Sequence, residues 1–314
     1  MRYLIVAGRR CVTLAPSLLL LLFACSTYRI NAADGSGIAF NSGDTTLRYY
    51  SVGRRSEVPL VVITGGPGFD HGYIRIGAPW DRIGKQRQVV FYDQRGTGRA
   101  STIAAGTKIT VGDFIADIEA LRAALGTERV AVLGHSWGGY LAMAYASRHA
   151  DRVEKLIVVA SAAPKLADTK FLFDAVFPEN RERWRAWTSA MNRGDESFTN
   201  ANADTYFRML FHSPEKRDEW IHRAHAARLR FNPHLAPQLW SASAAPDVTD
   251  AVSNLDLPLL VIHGRHDMNV ATETAFRTSS LARRGKLLIF ERSGHLPFFE
   301  EPQRFAKEVL SFLR

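Results

Sequence analysis

Gly134-His135-Ser136-Trp137-Gly138 decides how the rest of this chain is read. It stands between an apolar run at residues 129–133 and an alanine-rich run at 140–147 with helical character. G-x-S-x-G between a strand and a helix describes a turn so tight that its serine is pushed out above a sheet. The flanking glycines are required where a side chain would strike the neighbouring strand or helix. A five-residue pattern recurs by chance, so its weight comes from its surroundings and from the groups that follow it.

Outward from this turn, residues 58–63 and 88–92 read as buried strands. They end in Thr64-Gly65-Gly66-Pro67-Gly68 and Asp93-Gln94-Arg95-Gly96. Residues 45–51 alternate as an edge strand would. Residues 111–125 carry Phe114, Ile118, Leu121 and Leu125 at helical spacing, and Gly126 follows as a stop. Residues 155–160 form another strand run. Strands that are apolar throughout and alternate with helices predict an α/β fold with a mostly parallel sheet covered on both faces. The rhythm stops after Pro164. Residues 165–248 hold no convincing strand but include Trp184, Trp187, Trp220 and Trp240, and are read as an inserted helical lid. Strand and helix resume at 259–264, 272–281, 286–290 and 302–313. The expected organisation is a core over 38–164, a lid over 165–248, and the rest of the core over 249–314.

A serine hydroxyl needs a base within hydrogen-bond reach, and the base needs an acid to orient it. In such sheets the reactive groups gather beyond the carboxyl ends of the strands. Ser136 follows one strand, Asp267 follows the first strand after the lid, and His295, in Ser293-Gly294-His295-Leu296-Pro297, follows the last. His295 is expected to take the Ser136 proton and return it to the leaving group, and Asp267 to hold the imidazole tautomer. Two N–H donors are needed for the oxyanion. The backbone of Trp137 supplies one, and Gly66, ahead of Gly65, is the choice for the second. His135 and His266 are assigned no role, and the other histidines show no metal-ligand spacing with a carboxylate. No cofactor is expected.

The first 24 residues read as a signal peptide of lipoprotein type. Arg2, Arg9 and Arg10 precede an apolar run over 12–23 that is too short to span a bilayer, and Leu22-Phe23-Ala24-Cys25 resembles a lipobox. Cys25 is the expected lipidation site, with ordinary cleavage nearby as the alternative, and residues 25–37 are a linker. The expected location is outside the cytoplasm, either anchored to a membrane through this lipid or free in the periplasm or medium. The only other cysteine, Cys11, lies within the leader, so the mature chain has no thiol for a disulfide. Loss of the leader arginines would take the formal charge from +9 to +6. The remaining basic residues are scattered, which favours a solvated surface over nucleic-acid binding.

Taken together, Gly65-Gly66-Pro67-Gly68, Tyr92-Asp93-Gln94-Arg95-Gly96, Gly134-x-Ser136-Trp137-Gly138-Gly139, Gly264-Arg265-x-Asp267 and Gly294-His295 resemble the proline iminopeptidase branch of the α/β-hydrolases. The resemblance covers residues 38–314, weakly within the lid. It implies a triad of Ser136, Asp267 and His295, oxyanion donors at Gly66 and Trp137, and a bracing role for the Asp93-Gln94-Arg95 loop. The chain departs from the family at two places. Thr64 stands where histidine is usual, and Trp184-Arg185-Ala186-Trp187-Thr188 has threonine where the family carries the glutamate that receives a substrate amine. Glu179, Glu182, Asp204, Glu215, Asp218 and Glu219 are the carboxylates that could replace it. The expected function is therefore a serine hydrolase working through an acyl-serine intermediate on a small molecule or short peptide. An aminopeptidase is the first expectation, and an esterase, lactonase or amidase for a small apolar substrate is the alternative. A non-catalytic binder on the same scaffold is the contrasting class.

Overall fold

The computed structural model describes residues 37–77, 79–104, 106–240 and 245–314. The expected signal peptide, Cys25 and nearly all of the linker lie outside them. Eight strands form one sheet: β1 (Ile38–Ser42), β2 (Thr45–Val52), β3 (Leu60–Ile63), β4 (Val89–Asp93), β5 (Val130–His135), β6 (Val153–Val159), β7 (Leu259–Gly264) and β8 (Gly285–Phe290). Their spatial order is β1-β2-β4-β3-β5-β6-β7-β8. β2 runs antiparallel to β1 and β4, and the pairings from β4 through β8 are all parallel.

The expected edge strand at 45–51 is corrected here. β2 is flanked on both sides, and the edge is β1, the hairpin partner that immediately precedes it. Alternation in β2 reflects uneven cover of its two faces, and alternation alone does not distinguish an edge strand from its neighbour.

The helices that position the site are α1 (Val111–Ala124), α2 (Trp137–Arg148), α3 (Arg181–Asn192), α4 (Ala203–Phe207), α5 (Pro214–Ala226), α6 (Thr272–Leu281) and α7 (Pro302–Leu313). Strand residues alternate between two cores. Val61, Ile63, Val90, Val132, Val158 and Val261 pack with Phe114 and Leu121 of α1 and Tyr140 and Leu141 of α2. Leu60, Val62, Phe91, Leu133, Ile157 and Ile262 pack on the other face with Trp80 and with Phe305, Val309 and Leu313 of α7. Both faces are dry, which is why these strands are apolar throughout.

Between β6 and β7 the described residues form only helices and turns, apart from one bridge between Phe231 and Phe69. This helical insertion includes α3, α4 and α5. Its Trp187, Phe207, Trp220 and Phe231 belong to the same packed cluster as the α7 face of the sheet. Parallel strands bring their carboxyl ends to one rim, where the loops after β3, β5, β7 and β8 meet beneath the lid.

Candidate active site

Ser136 takes φ 57° and ψ −125° at the junction of β5 and α2, a backbone conformation uncommon outside glycine. The close approach of strand and helix accounts for the glycines around it. A Cβ on Gly134 would lie 2.1 Å from the Gly138 carbonyl oxygen, and one on Gly138 would lie 2.4 Å from that of Thr64. The elbow is thus wedged against the end of β3, and Ser136 faces a cavity of about 580 Å³.

The structure brings Asp267 and His295 together. The His295 Nδ1–H donates to Asp267 Oδ2 at 2.7 Å. The other carboxylate oxygen accepts the backbone N–H groups of Asn269 and Val270, each at 2.9 Å. Burial alone would raise the Asp267 carboxyl, but the His295 imidazole, the neighbouring His263 and these backbone donors bring it below its ordinary value. Asp267 is therefore a carboxylate, and it sets the tautomer of the neutral His295 imidazole, with the proton on Nδ1 and the lone pair on Nε2. Glu291 instead pairs with Arg265 on the surface.

His295 sits beside the elbow. Its ring centroid is 4.7 Å from that of His135, and its carbonyl accepts the His135 Nε2–H at 2.8 Å. The hydrogen bond formed by its own Nε2 runs to Asn269 Nδ2, at 3.0 Å. Asn269 Nδ2 also donates to the Tyr206 hydroxyl of α4, at 3.0 Å. Ser136, Asn269 and Tyr206 all line the cavity.

His135, assigned no role from sequence, is part of a buried relay. Because its Nε2 donates to a carbonyl, its Nδ1 must accept, and the Tyr73 hydroxyl donates to it at 2.5 Å. The same hydroxyl accepts the Gly65 N–H at 2.7 Å. Burial first, then the nearby His295, holds the His135 imidazole well below its ordinary value, and burial pushes the Tyr73 phenol up. Both groups are neutral, and together they tie the glycine loop to the base loop through the residue preceding Ser136.

This relay also separates the two glycines. The Gly65 N–H is taken by Tyr73, whereas Gly66 lines the cavity beside Ser136 at φ 115°. Gly66 is held from the lid side, its carbonyl accepting the Trp240 Nε1–H at 3.0 Å. Trp137 opens α2, where the first N–H groups of a helix have no partner within it. Thr64, at the family's histidine position, is held by Gln94, whose Nε2 donates to the Thr64 carbonyl and hydroxyl at 2.9 and 2.7 Å. Asp93 accepts from Tyr50 and His71, and Arg95 forks onto Asp117. These three residues hold the loops in place and do not line the cavity.

The cavity wall is aromatic. Trp184 and Trp187 of α3 stack at 5.5 Å, and Trp187 lies parallel to Tyr206 at 5.5 Å. Phe69, Phe171, Phe231 and Trp240 complete the ring face. Thr188 reaches the cavity but spends its hydroxyl on the Trp184 carbonyl, 2.9 Å away in its own helix. None of the described residues lining the cavity is charged. The six lid carboxylates weighed from sequence lie elsewhere. Asp204 pairs with His225, Asp218 with Arg217, Glu219 with Lys216 and Arg223, and Glu215 accepts from Ser213. Glu179 and Glu182 are exposed.

The chain belongs to the alpha/beta hydrolase fold family, which it matches over residues 58–302. It is a hydrolase of the serine type, similar to the proline iminopeptidase branch. It is 27% identical over 266 residues to the proline iminopeptidase of Heyndrickxia coagulans, covering 81% of this chain and 90% of that relative. With the proline iminopeptidase of Saccharolobus solfataricus it shares 26% over 296 residues, covering 91% and 94%. Among solved structures, a thermophilic esterase from Thermogutta terrifontis superposes with a TM-score of 0.67 at 22% identity, covering 88% of this chain and 97% of that one.

Proposed function

We propose that the protein hydrolyses an uncharged carboxylic ester, lactone or amide whose apolar group lies against the aromatic wall beneath the lid. Ser136 Oγ attacks the acyl carbon while His295 Nε2 takes its proton, and Asp267 stabilises the imidazolium that forms. The N–H groups of Gly66 and Trp137 receive the tetrahedral oxyanion. His295 then protonates the leaving group, and a water deprotonated by the same imidazole releases the acyl group. The reading is carried by one observation, the cavity lining without a charge. A substrate with a free amino terminus, largely protonated below its pKa of about 7.7–8, would bury a cation there with no carboxylate among the described lining residues to meet it, which is costly.

The second reading, an aminopeptidase releasing N-terminal residues from short peptides, is favoured by the two curated relatives, both proline iminopeptidases. Hydrolysis of p-nitrophenyl butyrate compared with that of proline p-nitroanilide separates the two. The ester reading expects turnover of the first and little of the second, and efficient arylamide cleavage would replace it with the peptidase. In both readings a fluorophosphonate labels the wild type and leaves Ser136→Ala unlabelled. Equal labelling of the two would remove Ser136 as nucleophile.

The leader sequence supports export with a lipid on Cys25. Radiolabelled palmitate is expected to enter the wild type and not Cys25→Ser, with the wild type in the membrane fraction. A soluble, unlabelled wild type would leave ordinary export or retention in the cell.

A further inference from the structure

We infer that Asn269 caps the His295 base in the resting enzyme, and that a substrate filling the cavity removes the cap. The inference rests on Ser136 and His295 being the reacting pair, and concerns when they become one.

With Nδ1–H committed to Asp267, His295 has a single lone pair, on Nε2, in the plane of the ring. That lone pair accepts from Asn269 Nδ2 at 3.0 Å. The second hydrogen on the same nitrogen points to Tyr206 Oη, also at 3.0 Å. Both donor hydrogens of the amide are therefore used, and one of them occupies the site the Ser136 hydroxyl must reach. Asn269 is 5% exposed, so solvent competes little for these bonds.

The two ends of the bridge differ in mobility. The backbone of Asn269 is pinned, its N–H donating to Asp267 Oδ1 at 2.9 Å, so displacing the amide requires only side-chain rotation. Tyr206 belongs to the lid, with its ring parallel to Trp187 and near Trp184 at 5.8 Å. Asn269, Tyr206 and Ser136 share the cavity surface with Trp184 and Trp187. A substrate group pressed against the aromatic wall meets Tyr206 and the amide together. When the amide turns away, Nε2 is free for the Ser136 proton. A molecule too small to reach Tyr206 leaves the cap in place and meets a serine without its base. The lid residue Tyr206 thus links occupancy of the pocket to activation of the nucleophile.

The test is the rate at which a small diethyl fluorophosphonate-type reagent modifies the serine. In that step Ser136 Oγ bonds to phosphorus, fluoride leaves, and the hydroxyl proton passes to His295. Asn269→Ala is expected to be modified about threefold to tenfold faster than the wild type, the range spanned by one net hydrogen bond. Structural damage would move the rate the other way. Asn269→Asp, whose carboxylate favours the imidazolium, is expected to react more slowly. Tyr206→Phe, which keeps the ring stack and removes one anchor of the amide, should show a smaller gain and supplies the test if Asn269→Ala does not fold. In the wild type kcat should be higher for p-nitrophenyl hexanoate than for the acetate, and in Asn269→Ala this advantage should shrink. A folded Asn269→Ala modified at the wild-type rate or below would overturn the cap while leaving Ser136 as nucleophile. A wild type that is not modified at all would remove both.

Discussion

The hydroxyl of Tyr73 links the two loops that flank Ser136, the proposed nucleophile. It accepts from Gly65, next to the expected oxyanion glycine, and donates to His135, whose other nitrogen holds the His295 carbonyl. Tyr73→Phe leaves one buried donor and one buried acceptor without partners, so it should lower the unfolding free energy by about 1–3 kcal/mol. Its kcat should fall more than its KM rises, because the substrate wall is untouched. Urea melts and steady-state kinetics on the same preparation check this, and an unchanged melt would show the relay to be dispensable. Ser136, Asp267 and His295 were legible in the sequence because each sits in a glycine-marked turn after a strand, in an order one fold uses. Tyr73, Tyr206 and Asn269 were not. Asn269 stands two residues after Asp267, where asparagine reads as a turn former, and nothing in the chain associates it with a tyrosine 63 positions away.

At the scale of the element, the helical insertion supplies most of the described cavity wall. α3 places Trp184, Trp187 and Thr188 toward one cavity, and the threonine at position 188, in a lining whose described residues include no carboxylate, separates this chain from the family pattern. Thr188→Glu would put a carboxylate there. A hydrogen bond to a charged group is worth about 1.5–3 kcal/mol, so the ratio of proline p-nitroanilide to butyrate ester turnover should rise by roughly tenfold or more. An unchanged ratio would mean that the amine of such a substrate does not reach this wall. The lid was legible as a break in strand-helix rhythm and as a run of tryptophans. The outward placing of its six weighed carboxylates was not, since helices of this length expose several faces. The β1–β2 hairpin was misjudged for a related reason: alternation reports how a strand's faces are covered, and the number of its neighbours is fixed by hydrogen bonds to other strands.

For the whole molecule, buried titratable groups set the response to acid. Burial holds the His135 and His263 imidazoles below their ordinary value of 6.5. Below that pH the unfolded chain takes up protons that the folded protein refuses, so this contribution is full above 6.5 and is lost as the pH falls. Glu300 acts in the opposite sense. Burial pushes its carboxyl up to about 7, although it accepts the N–H groups of His212, Ser213 and Gly294. Between its ordinary value of 4.5 and about 7 the folded protein keeps a proton the unfolded chain has lost, which stabilises the fold as the pH drops. The two histidines and Glu300 therefore pull the urea midpoint in opposite directions as the pH falls from 7.5 to 5.5. Glu300→Gln removes the opposing contribution, so the midpoint should shift further downward between these pH values than in the wild type, whatever the absolute stability of the variant. An equal or smaller downward shift would show that Glu300 does not hold its proton in the fold.

The amino-acid sequence by itself determined the parallel strands of the sheet, its two apolar faces, the tight turn at Ser136, and the three groups that follow strands in hydrolase order. Each of these is a local pattern of period two, period 3.6 or glycine placement, and local patterns survive in one dimension. The tertiary structure alone decided that the described residues of the pocket wall carry no charge, that the Gly65 N–H is spent while Gly66 faces the cavity, and that an asparagine occupies the lone pair of His295. Those outcomes depend on which side chains from distant segments meet in one small volume, where a single hydrogen or carboxylate more or less changes the chemistry.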